Sequence, residues 1–304
     1  MLNTRTALVT GGSGFAGSNL CRKLINEGWM VNVVTVKNDN LYLLEDIRNS
    51  VIIHVYDGSI KKLDNIFSEV KPDIVFHLAS LFLSEHTQDD IEGLIASNVL
   101  FGTQLLEMMT VHGVTKFINT GTSWQHYENK HYSPVNLYAA TKQAFEDILL
   151  YYVESKKISA VTLKLFDTYG PNDPRPKLFH LLEKVAREGA VLAMSPGDQP
   201  INLVYIDDVV DAFVVAAERI VNLDPGINEH YAVSSDEVFK LKDIVNIFSD
   251  ILGVKLFVEW GGRPYRTREV MSLWSSGLRL PGWNPKFTIV DGINKVIDVN
   301  KYTD

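Results

Sequence analysis

The segment "NLYAATKQAF" places a phenol and an ammonium one helical turn apart, at Tyr138 and Lys142. Residues four apart lie on the same face of a helix. A free tyrosine has a pKa of about 10, which is too high for efficient proton transfer at neutral pH, and a neighbouring cation lowers that pKa by stabilising the phenolate. The spacing is therefore typical of an acid–base pair. The alternative is an amphipathic helix whose lysine snorkels into solvent.

Three glycines stand at regular spacing between the first apolar run and the first helical pattern. In "VTGGSGFAGSNL", Gly11, Gly14 and Gly17 form a G-x-x-G-x-x-G series. Such glycines permit a tight turn and let the backbone approach a pyrophosphate, which then lies at the helix N-terminus, where free N–H groups favour negative charge. We therefore predict a dinucleotide-binding loop that includes Phe15 and Ala16. The alternative is a flexible glycine-rich turn.

The end of the second predicted strand lacks the acid that commonly holds the ribose 2′-hydroxyl of NAD. The sequence there is "VVTVKND", with Thr35 at the position of the acid and Lys37 close by. A neutral residue removes repulsion toward a 2′-phosphate, and a lysine can pair with that phosphate. The stretch therefore favours NADP, as NADPH, with NAD as the alternative cofactor. In that alternative Lys37 is solvated and Asp39 performs the role of the acid.

Short β-branched runs alternate with helical patterns in the first half of the chain. The helical pattern 17–27, for example, places Leu20 and Leu24 on one face and stops at Gly28. Strand–helix alternation with apolar strands predicts an α/β fold, a Rossmann-type doubly wound parallel sheet covered on both sides. The predicted strands are Ala7–Thr10, Val31–Val36, Val51–Val55, Asp73–Leu78, Lys116–Thr120 and Ala160–Phe166.

The pattern changes after Phe166, where "DTYGPNDPRPK", "MSPGDQP", "NLDPG" and "WGGRPYR" introduce turn-forming residues between shorter elements. We expect a dinucleotide-binding domain over 1–166, with returning segments near 201–222. A smaller, partly interleaved C-terminal lobe, mainly 167–200 and 223–304, is expected to bind the substrate.

Bulk composition excludes several classes of function. The chain has 304 residues, of which 46% are hydrophobic and 22% charged, as in ordinary globular proteins. Its formal charge of −8 does not suit a nucleic-acid or anionic-membrane partner. Cys21 is the only cysteine, so an internal disulfide and a cysteine zinc cluster are both excluded, and no metal is expected. The start of the chain lacks a signal-peptide pattern, and we see no stretch apolar enough to span a bilayer, so we expect a cytoplasmic protein.

Taken together, these features resemble the extended short-chain dehydrogenase/reductase family, which includes nucleotide-sugar epimerases, dehydratases and reductases. The resemblance covers nearly the whole chain and rests on ordered motifs: the glycine loop, "VYDGS", "VFHLAS", "SNVLFGTQLLE", "NTGTS", "YAATK", "LFDTYGPNDPR" and "NLVYIDDVVDA". The cofactor-binding residues that it implies, beyond the glycine loop, are Asp57 and Gly58 near the adenine, Leu78, Ala79 and Ser80 after the fourth strand, Asn98, Thr120, Tyr138, Lys142 and Phe166.

The resemblance also implies catalytic roles. Tyr138 and Lys142 match the family's Tyr-x-x-x-Lys pair, and Thr122 matches the catalytic hydroxyl. Thr122 is expected to hold the substrate oxygen that Tyr138 protonates or deprotonates, and Lys142 to hydrogen bond the nicotinamide ribose as well. These roles amount to hydride transfer at a carbonyl or carbinol carbon.

The residues after Thr122 narrow the reaction. The family's dehydratases follow this threonine with an Asp-Glu pair, whereas here Ser123 and Trp124 follow, and neither shuttles a proton at neutral pH. A reductase and an epimerase are left. The longer stretches resemble the branch of CDP-paratose and CDP-abequose synthases, which reduce the C4 ketone of a nucleotide-linked 3,6-dideoxy-4-ketohexose.

The same resemblance locates the substrate. Trp124, Gln125 and His126 are expected near the sugar, although His126 is equally compatible with a packed loop. Arg266 and Glu269 in "PYRTREVM" match an arginine and an acid that contact the diphosphate and ribose, and an arginine fork suits a diphosphate. Lys177 and Leu178 are further expected contacts. Two departures are Asp167, where many members have asparagine, and Ile201, where many have arginine.

Three functional hypotheses follow. The first is an NADPH-dependent reductase of the C4 ketone of a nucleotide-linked 4-keto-6-deoxy or 3,6-dideoxyhexose, with CDP as the expected nucleotide. The second is an NAD-dependent 4-epimerase of a nucleotide sugar. The third is a dinucleotide-binding sensor without activity, which the joint presence of Thr122, Tyr138 and Lys142 disfavours. The family resemblance implies a homodimer formed through the helices that contain Asn98 and Tyr138.

Overall fold

A computed structural model of the protein describes residues 4–155 and 157–297. Its core is a seven-stranded parallel sheet in the order β11-β6-β5-β4-β1-β2-β3. The strands are β1 Thr6–Thr10, β2 Met30–Val36, β3 Val51–Tyr56, β4 Ile74–His77, β5 Lys116–Thr122, β6 Ser159–Leu165, β7 Asp167–Tyr169, β8 Val191–Met194, β9 Pro200–Ile201, β10 Leu203–Tyr205, β11 Asn228–Val233, β12 Phe239–Lys240 and β13 Phe257–Trp260. The helices are α1 Phe15–Asn26, α2 Ile60–Val70, α3 Ile91–Ile95, α4 Phe101–Val111, α5 Leu137–Glu154, α6 Leu178–Glu188, α7 Ile206–Val221, α8 Leu241–Leu252 and α9 Ile289–Val296.

Helices cover the sheet on both faces because its strands are apolar on both faces. Ala7 and Val9 of β1 belong to one hydrophobic cluster, with helices α1 and α7, while Leu8 belongs to the other, with α2, α4 and α5. Alternate side chains of one strand therefore enter opposite layers. The predicted Rossmann-type fold is confirmed, and the six predicted strands are all present.

The chain order in the sheet reverses at β1, which pairs with β2 on one side and β4 on the other. In open parallel sheets, ligands bind in the crevice at the carboxyl ends of the strands where the order reverses. The loops that follow β1 and β4 flank this crevice. The fold thus brings together the glycine loop and residues Leu78–Ser80, which are far apart in sequence.

The smaller lobe is built from two-stranded pairs: β7 with β10, β9 with β12, and β8 with β13. It is interleaved with the sheet, since β11 returns to pair with β6. Residues 228–233 were expected mainly in the smaller lobe, yet they form β11, the seventh strand of the sheet. Helix α7 also returns, and it packs beside α1.

One helical stretch, Gln88–Val111, is long and apolar enough to cross a bilayer by length and composition alone. The expectation that the chain has no such stretch was therefore wrong. The stretch comprises a short 3₁₀ turn, α3, a π-helical turn at Ala96–Leu100 and α4. Leu94, Leu105 and Met109 are fully buried, so one side of the stretch packs in the interior as a core helix does.

Candidate active site

The glycine loop is packed so tightly that side chains do not fit. A Cβ atom on Gly17 would lie 2.0 Å from the carbonyl oxygen of Gly11. Gly11 has a φ of +71°, and a Cβ there would lie 2.5 Å from the backbone nitrogen of Ala79. The loop therefore lies directly against the segment that follows β4. These close approaches explain the spacing of the glycines in the sequence.

Hydrogen bonds of the buried Thr10 side chain, which precedes the glycine loop, connect the end of β1 to the end of β4. The hydroxyl of Thr10 lies 2.8 Å from Nδ1 of His77 and accepts a hydrogen bond from the backbone N–H of Ala79 at 3.2 Å. His77 is buried among Phe101, Phe117 and Phe145. Burial, with the charge of Lys142 nearby, lowers the pKa of His77 to about 3, so this ring is neutral.

Two further observations fit a bound dinucleotide. Helix α1 begins after Gly14, and no side chain caps its first N–H groups, which leaves them available to a phosphate. At the end of β5, the buried hydroxyl of Thr120 has no hydrogen-bond partner in the described structure. An unpaired buried hydroxyl is unfavourable unless a ligand or water satisfies it. Thr120 is one of the residues that the sequence assigns to the cofactor.

The residues predicted to select between NADP and NAD lie at and just after the end of β2. Thr35 is buried near the end of β2, and Lys37 is exposed with no ion pair among the described residues. Asp39 lies beside the glycine loop, where its carboxylate accepts a hydrogen bond of 2.6 Å from Ser13. A neutral residue, a solvated cation and an acid therefore all border this end of the loop.

The side chains of two other predicted cofactor residues, Asp57 and Asn98, make hydrogen bonds within the protein. One oxygen of Asp57 accepts hydrogen bonds from the backbone and hydroxyl of Ser59, beside Gly58, which has a φ of +94°. The side chain of Asn98 is buried and accepts from Ser80 and from the backbone of Leu81. Its amide nitrogen donates to the Leu81 carbonyl and the Thr141 hydroxyl. Asn98 thus acts on the site by holding Ser80 and helix α5.

Helix α5 carries the two residues of the predicted acid–base pair, Tyr138 and Lys142. It begins because the side chain of Asn136 accepts a hydrogen bond from the backbone N–H of Ala139, which caps the first turn. Tyr138 stands in that first turn, and its ring meets Phe82 edge-on at 5.0 Å. Lys142 is 2% exposed one turn later. The structure therefore excludes the snorkelling lysine, because the ammonium is directed into the protein.

The protonation of the pair differs from the expectation based on spacing. Burial raises the pKa of Tyr138 to about 12, against smaller lowering effects of a hydrogen bond with Ser80 and of the charge of Arg175. Burial lowers the pKa of Lys142 to about 8, and the charge of Glu146 opposes that shift. Desolvation therefore dominates, and Lys142 is not among the groups that lower the pKa of Tyr138. At neutral pH the site presents a neutral phenol and an ammonium.

Thr122 lies at the end of β5 and starts the 3₁₀ turn Ser123–Gln125. Its hydroxyl oxygen accepts a hydrogen bond of 3.2 Å from the backbone N–H of Trp124. Because this bond uses an oxygen lone pair, the hydroxyl proton is left free for another acceptor. The residue can therefore donate a hydrogen bond to a substrate oxygen.

A large cavity extends into the smaller lobe, and its lining includes Ser123 and Trp124, directly after Thr122, but not Thr122, Tyr138 or Lys142 themselves. Its volume is about 680 Å³. Phe82 and Trp124, whose rings are 5.7 Å apart, form the wall next to Tyr138. The other predicted residues that line the cavity are His126, Phe166, Asp167, Lys177, Leu178, Arg266 and Glu269.

Charged side chains in the cavity are mostly paired. Arg266 makes a two-pronged contact with Glu269, with Nη2 at 2.8 Å and Nε at 3.2 Å from the carboxylate oxygens. Its guanidinium also lies 5.3 Å from the centre of the Trp124 ring. Asp167 lies 3.7 Å from the ammonium of Lys177, so its charge is balanced inside the cavity. The acid that replaces the usual asparagine is thus accommodated by a lysine.

One predicted substrate residue does not face the cavity. Gln125 is fully buried, and its amide is directed away from the cavity toward helix α5. Its amide nitrogen donates to Gln143 and Glu146 and its oxygen accepts from the backbone of Thr122, so the place of Gln125 near the sugar stays a prediction. Its neighbour His126 does line the cavity, where its ring stacks on Trp274 at 4.0 Å.

Two residues at the site, Phe82 and Arg175, were not predicted from the sequence. Phe82 lies in an irregular segment without periodicity, so nothing in its local sequence indicates contact with Tyr138. Arg175 lies with its guanidinium 4.8 Å from the ring of Phe15 and influences the pKa of Tyr138. The only indication in the sequence that Arg175 lies at the site was its position in the turn-rich segment "GPNDPRPK". Among the residues that the structure describes, no cluster of three metal-binding side chains occurs.

Comparison with known proteins gives consistent matches. The profile of the NAD dependent epimerase/dehydratase family matches residues 7–234. A CDP-abequose synthase from Yersinia pseudotuberculosis is 28% identical over 268 residues, which cover 87% of this chain and 90% of that protein. Another from Salmonella muenchen is 27% identical and covers 97% of both chains. The structure of UDP-glucose 4-epimerase from Thermus thermophilus in complex with NAD is 25% identical, with a TM-score of 0.79, and covers 98% of this chain and all of that one.

Proposed function

The chain belongs to the NAD dependent epimerase/dehydratase family, and on that premise we propose that it is a nucleotide-sugar 4-ketoreductase. The proposed substrate is a nucleotide-linked 4-keto-6-deoxy or 3,6-dideoxyhexose, with CDP as the nucleotide. The observation that carries the proposal is the position of the Tyr138 phenol ring against Phe82, which lines a cavity of about 680 Å³ that can accommodate a nucleotide sugar. The similarity to two CDP-abequose synthases supports it.

The residues of the chain divide the reaction between them. Tyr138 donates its proton to the C4 carbonyl oxygen, while Thr122 donates a hydrogen bond to the same oxygen. The nicotinamide cofactor, when bound, supplies the hydride that adds to C4, so that the carbonyl becomes an alcohol. Lys142 stabilises the phenolate that remains on Tyr138 until solvent returns a proton. The cofactor would be held by the glycine loop, the first turn of α1, Thr120 and Lys142.

The sequence relatives favour a reductase over an epimerase, since two CDP-abequose synthases match 87% and 97% of the chain. Reduction begins with an acid that gives a proton to the ketone, and a tyrosine is such an acid at neutral pH. An epimerase begins with the opposite transfer, in which the tyrosine removes a proton from an alcohol. A dehydratase needs an additional acid–base pair, and Ser123 and Trp124 stand where that pair is found.

The cavity wall next to Tyr138 favours a deoxysugar. Phe82 and Trp124 present aromatic surfaces there. Aromatic faces cover apolar carbon well but do not satisfy sugar hydroxyls. A sugar with a methyl group at C6, or without a hydroxyl at C3, leaves fewer polar groups unpaired against this wall.

The function is tested by incubating the protein with NADPH and a CDP-linked 4-keto-3,6-dideoxyhexose. Oxidation of NADPH with formation of the 4-hydroxy sugar, identified by NMR, is the expected result. UDP-glucose with NAD serves as the matched epimerase assay, because similarity to a UDP-glucose 4-epimerase supports that alternative. Conversion of UDP-glucose without any reduction of the keto sugar would assign the chain to the epimerases.

We predict that NADPH binds more tightly than NADH, because Thr35 is neutral and Lys37 is free to pair with a 2′-phosphate. An exposed lysine contributes only about 1 kcal/mol, so Lys37→Ala should weaken NADPH binding about two- to fivefold and leave NADH binding unchanged. Fluorescence titration of both cofactors measures these affinities.

Asp39→Asn is the informative partner variant, because Asp39 is the acid that borders the glycine loop. If the proposal is right, removal of this charge strengthens NADPH binding and leaves NADH binding unchanged. Weaker NADH binding by the Asn variant, together with tighter NADH than NADPH binding in the wild type, would instead identify Asp39 as the ribose acid and NAD as the cofactor.

We propose that the substrate diphosphate binds on the smaller lobe with Arg266 as its main charged contact. Loss of one charge-assisted contact costs about 1.5–3 kcal/mol, which is about ten- to a hundredfold in affinity. Arg266→Ala should therefore raise the dissociation constant of the substrate by that factor, measured by calorimetry, and leave NADPH affinity unchanged.

Arg263 provides the comparison for this variant. It lines the same cavity, and no acidic partner for its guanidinium is found within the described ranges. We expect Arg263→Ala to have a smaller effect than Arg266→Ala. A larger effect of Arg263→Ala would identify Arg263, rather than Arg266, as the main contact of the diphosphate. Weakened NADPH binding by Arg266→Ala would assign that arginine to the cofactor.

We further propose a homodimer formed through the helical stretch Gln88–Val111, which contains Asn98, and α5, which contains Tyr138. These two segments expose large apolar side chains, including Leu100, Val111, Leu150 and Tyr151, with exposed fractions between 41% and 62%. Exposed apolar side chains are typical of subunit interfaces. Light scattering at micromolar concentration measures the mass directly, and a monomer would contradict the proposal.

A further inference from the structure

A buried polar network lies directly behind Thr122. It consists of Gln125, His126, Glu146 and Lys164, whose exposed fractions are all 7% or less. The backbone N–H of Thr122 donates to the side-chain oxygen of Gln125 at 2.9 Å. The amide nitrogen of Gln125 donates in turn to two acceptors on helix α5, Glu146 at 2.9 Å and Gln143 at 2.8 Å. The catalytic threonine is therefore attached to helix α5 through a single side chain.

Lys164 completes the network from the neighbouring strand β6. Its ammonium lies 3.2 Å from the second carboxylate oxygen of Glu146 and 3.0 Å from Nε2 of His126. Nδ1 of His126 lies 3.1 Å from the carbonyl oxygen of Lys130. The pKa of His126 is lowered to about 4 by burial and by the charge of Lys164. The ring is therefore neutral, donates from Nδ1 and accepts from Lys164.

The sequence leaves room for this network at one specific position. A Cβ atom on Gly121 would lie 2.9 Å from a carboxylate oxygen of Glu146 and 3.1 Å from the amide oxygen of Gln125. The missing side chain lets both groups approach the end of β5. A buried ion pair contributes little net stability, because desolvation offsets the attraction, and such pairs can instead serve to fix a unique arrangement.

Glu146 is placed to fix the distance between the two catalytic hydroxyl groups. Tyr138, Lys142 and Glu146 recur every four residues on one face of α5. One rigid helix thus carries both the proton donor and the carboxylate to which the Thr122 loop is tied. Displacement of a reacting group by about 1 Å can reduce a rate about a hundredfold.

We propose that Glu146 is a positioning residue, which holds Thr122 in register with Tyr138 through Gln125, with Lys164 as the charge that permits the buried carboxylate. The hydrogen-bond acceptor at position 146 is the feature that acts on Thr122. The charge at that position is required only because Lys164 is charged. This inference concerns the position of Thr122, and only its catalytic consequence rests on the proposed function.

Two double variants separate the acceptor from the charge. Glu146→Gln with Lys164→Met keeps an acceptor for Gln125 and removes both charges. Glu146→Leu with Lys164→Met removes that acceptor as well and leaves Gln125 held by Gln143 alone. Both variants remove the Glu146 and Lys164 charges together, and both equally remove the Glu146 charge that acts on Lys142, so the difference between them reports the acceptor. Thermal unfolding verifies that both fold. Gln125→Leu in the wild-type background removes the side chain that links the Thr122 amide to Glu146.

Hydrogen exchange resolved at the Thr122 amide tests the positioning without any substrate. Gln125→Leu removes the acceptor of the Thr122 amide itself and should accelerate exchange about two- to tenfold. The Leu/Met double variant loosens Gln125 and should accelerate exchange by a factor within that range, while the Gln/Met variant keeps the wild-type rate. Equal exchange rates in the two double variants would overturn the proposal.

Turnover of the keto sugar tests the catalytic consequence. We expect kcat of the Leu/Met variant to be about ten- to a hundredfold below that of the Gln/Met variant, at equal NADPH affinity. Equal kcat values, despite different exchange at Thr122, would also overturn the proposal. If the wild type fails to reduce the keto sugar, the proposed function fails, and the exchange experiment alone decides the role of Glu146.

Discussion

Replacement of Tyr138 by phenylalanine is expected to remove most turnover and to leave cofactor binding nearly intact. The variant keeps the aromatic ring against Phe82 and loses only the hydroxyl that donates the proton. Loss of a general acid typically costs about a hundred- to ten-thousandfold in rate. The measurements are kcat for the keto sugar and the dissociation constant of NADPH by fluorescence titration.

Tyr151→Phe is the matched control for this variant. Tyr151 lies on the same helix with 62% of its surface exposed, so the loss of its hydroxyl should change neither turnover nor cofactor affinity. Turnover of the Tyr138→Phe variant near the wild-type rate would remove Tyr138 from the mechanism and with it the proposed acid–base pair. A large loss of NADPH affinity would indicate that the hydroxyl serves the cofactor instead.

Replacement of Lys142 by methionine is expected to lower both turnover and cofactor affinity. Removal of one electrostatic contact to the reacting groups costs about a hundred- to a thousandfold in kcat. The lost hydrogen bond from an ammonium to the ribose should weaken NADPH binding about ten- to a hundredfold. The same kinetic and fluorescence measurements detect these changes, so the two variants differ in cofactor affinity.

The stability of the Lys142→Met variant should not fall. Burial lowers the pKa of Lys142, which means that the protein holds this charge at a cost that methionine does not have. A lower melting temperature would show that Lys142 is mainly structural. Lys61→Met, at an exposed lysine of α2, is the matched control and should change none of the three quantities.

Together the two variants distinguish proton donation from charge stabilisation. The neutral phenol of Tyr138 and the ammonium of Lys142 suit reduction at neutral pH. The phenol can donate its proton, and the ammonium can stabilise the phenolate that forms. The structure therefore supports the acid–base pair that the spacing indicated, although the pKa of Tyr138 is shifted in the opposite direction from the expected one.

The amino-acid sequence determined the features that depend on neighbours along the chain. The spacing of Gly11, Gly14 and Gly17 follows from a tight turn into a helix, and the structure shows why side chains do not fit there. The spacing of Tyr138 and Lys142 follows from the period of one helix. Apolar runs alternating with helical patterns predicted the parallel sheet, because a strand that is buried on both faces has apolar residues at successive positions.

Only the tertiary structure decided which distant residues meet. Asp39 approaches Ser13 across 26 residues, and Phe82 contacts the ring of Tyr138 although neither segment indicates the other. The amide of Gln125 faces helix α5, because Glu146 and a glycine at position 121 create a buried acceptor site. The pKa of Tyr138 depends on the same packing, since burial is a property of all the elements that surround a group. Local spacing specifies which groups can act together, whereas desolvation and long-range contact, which set their charge and direction, exist only once the chain has folded.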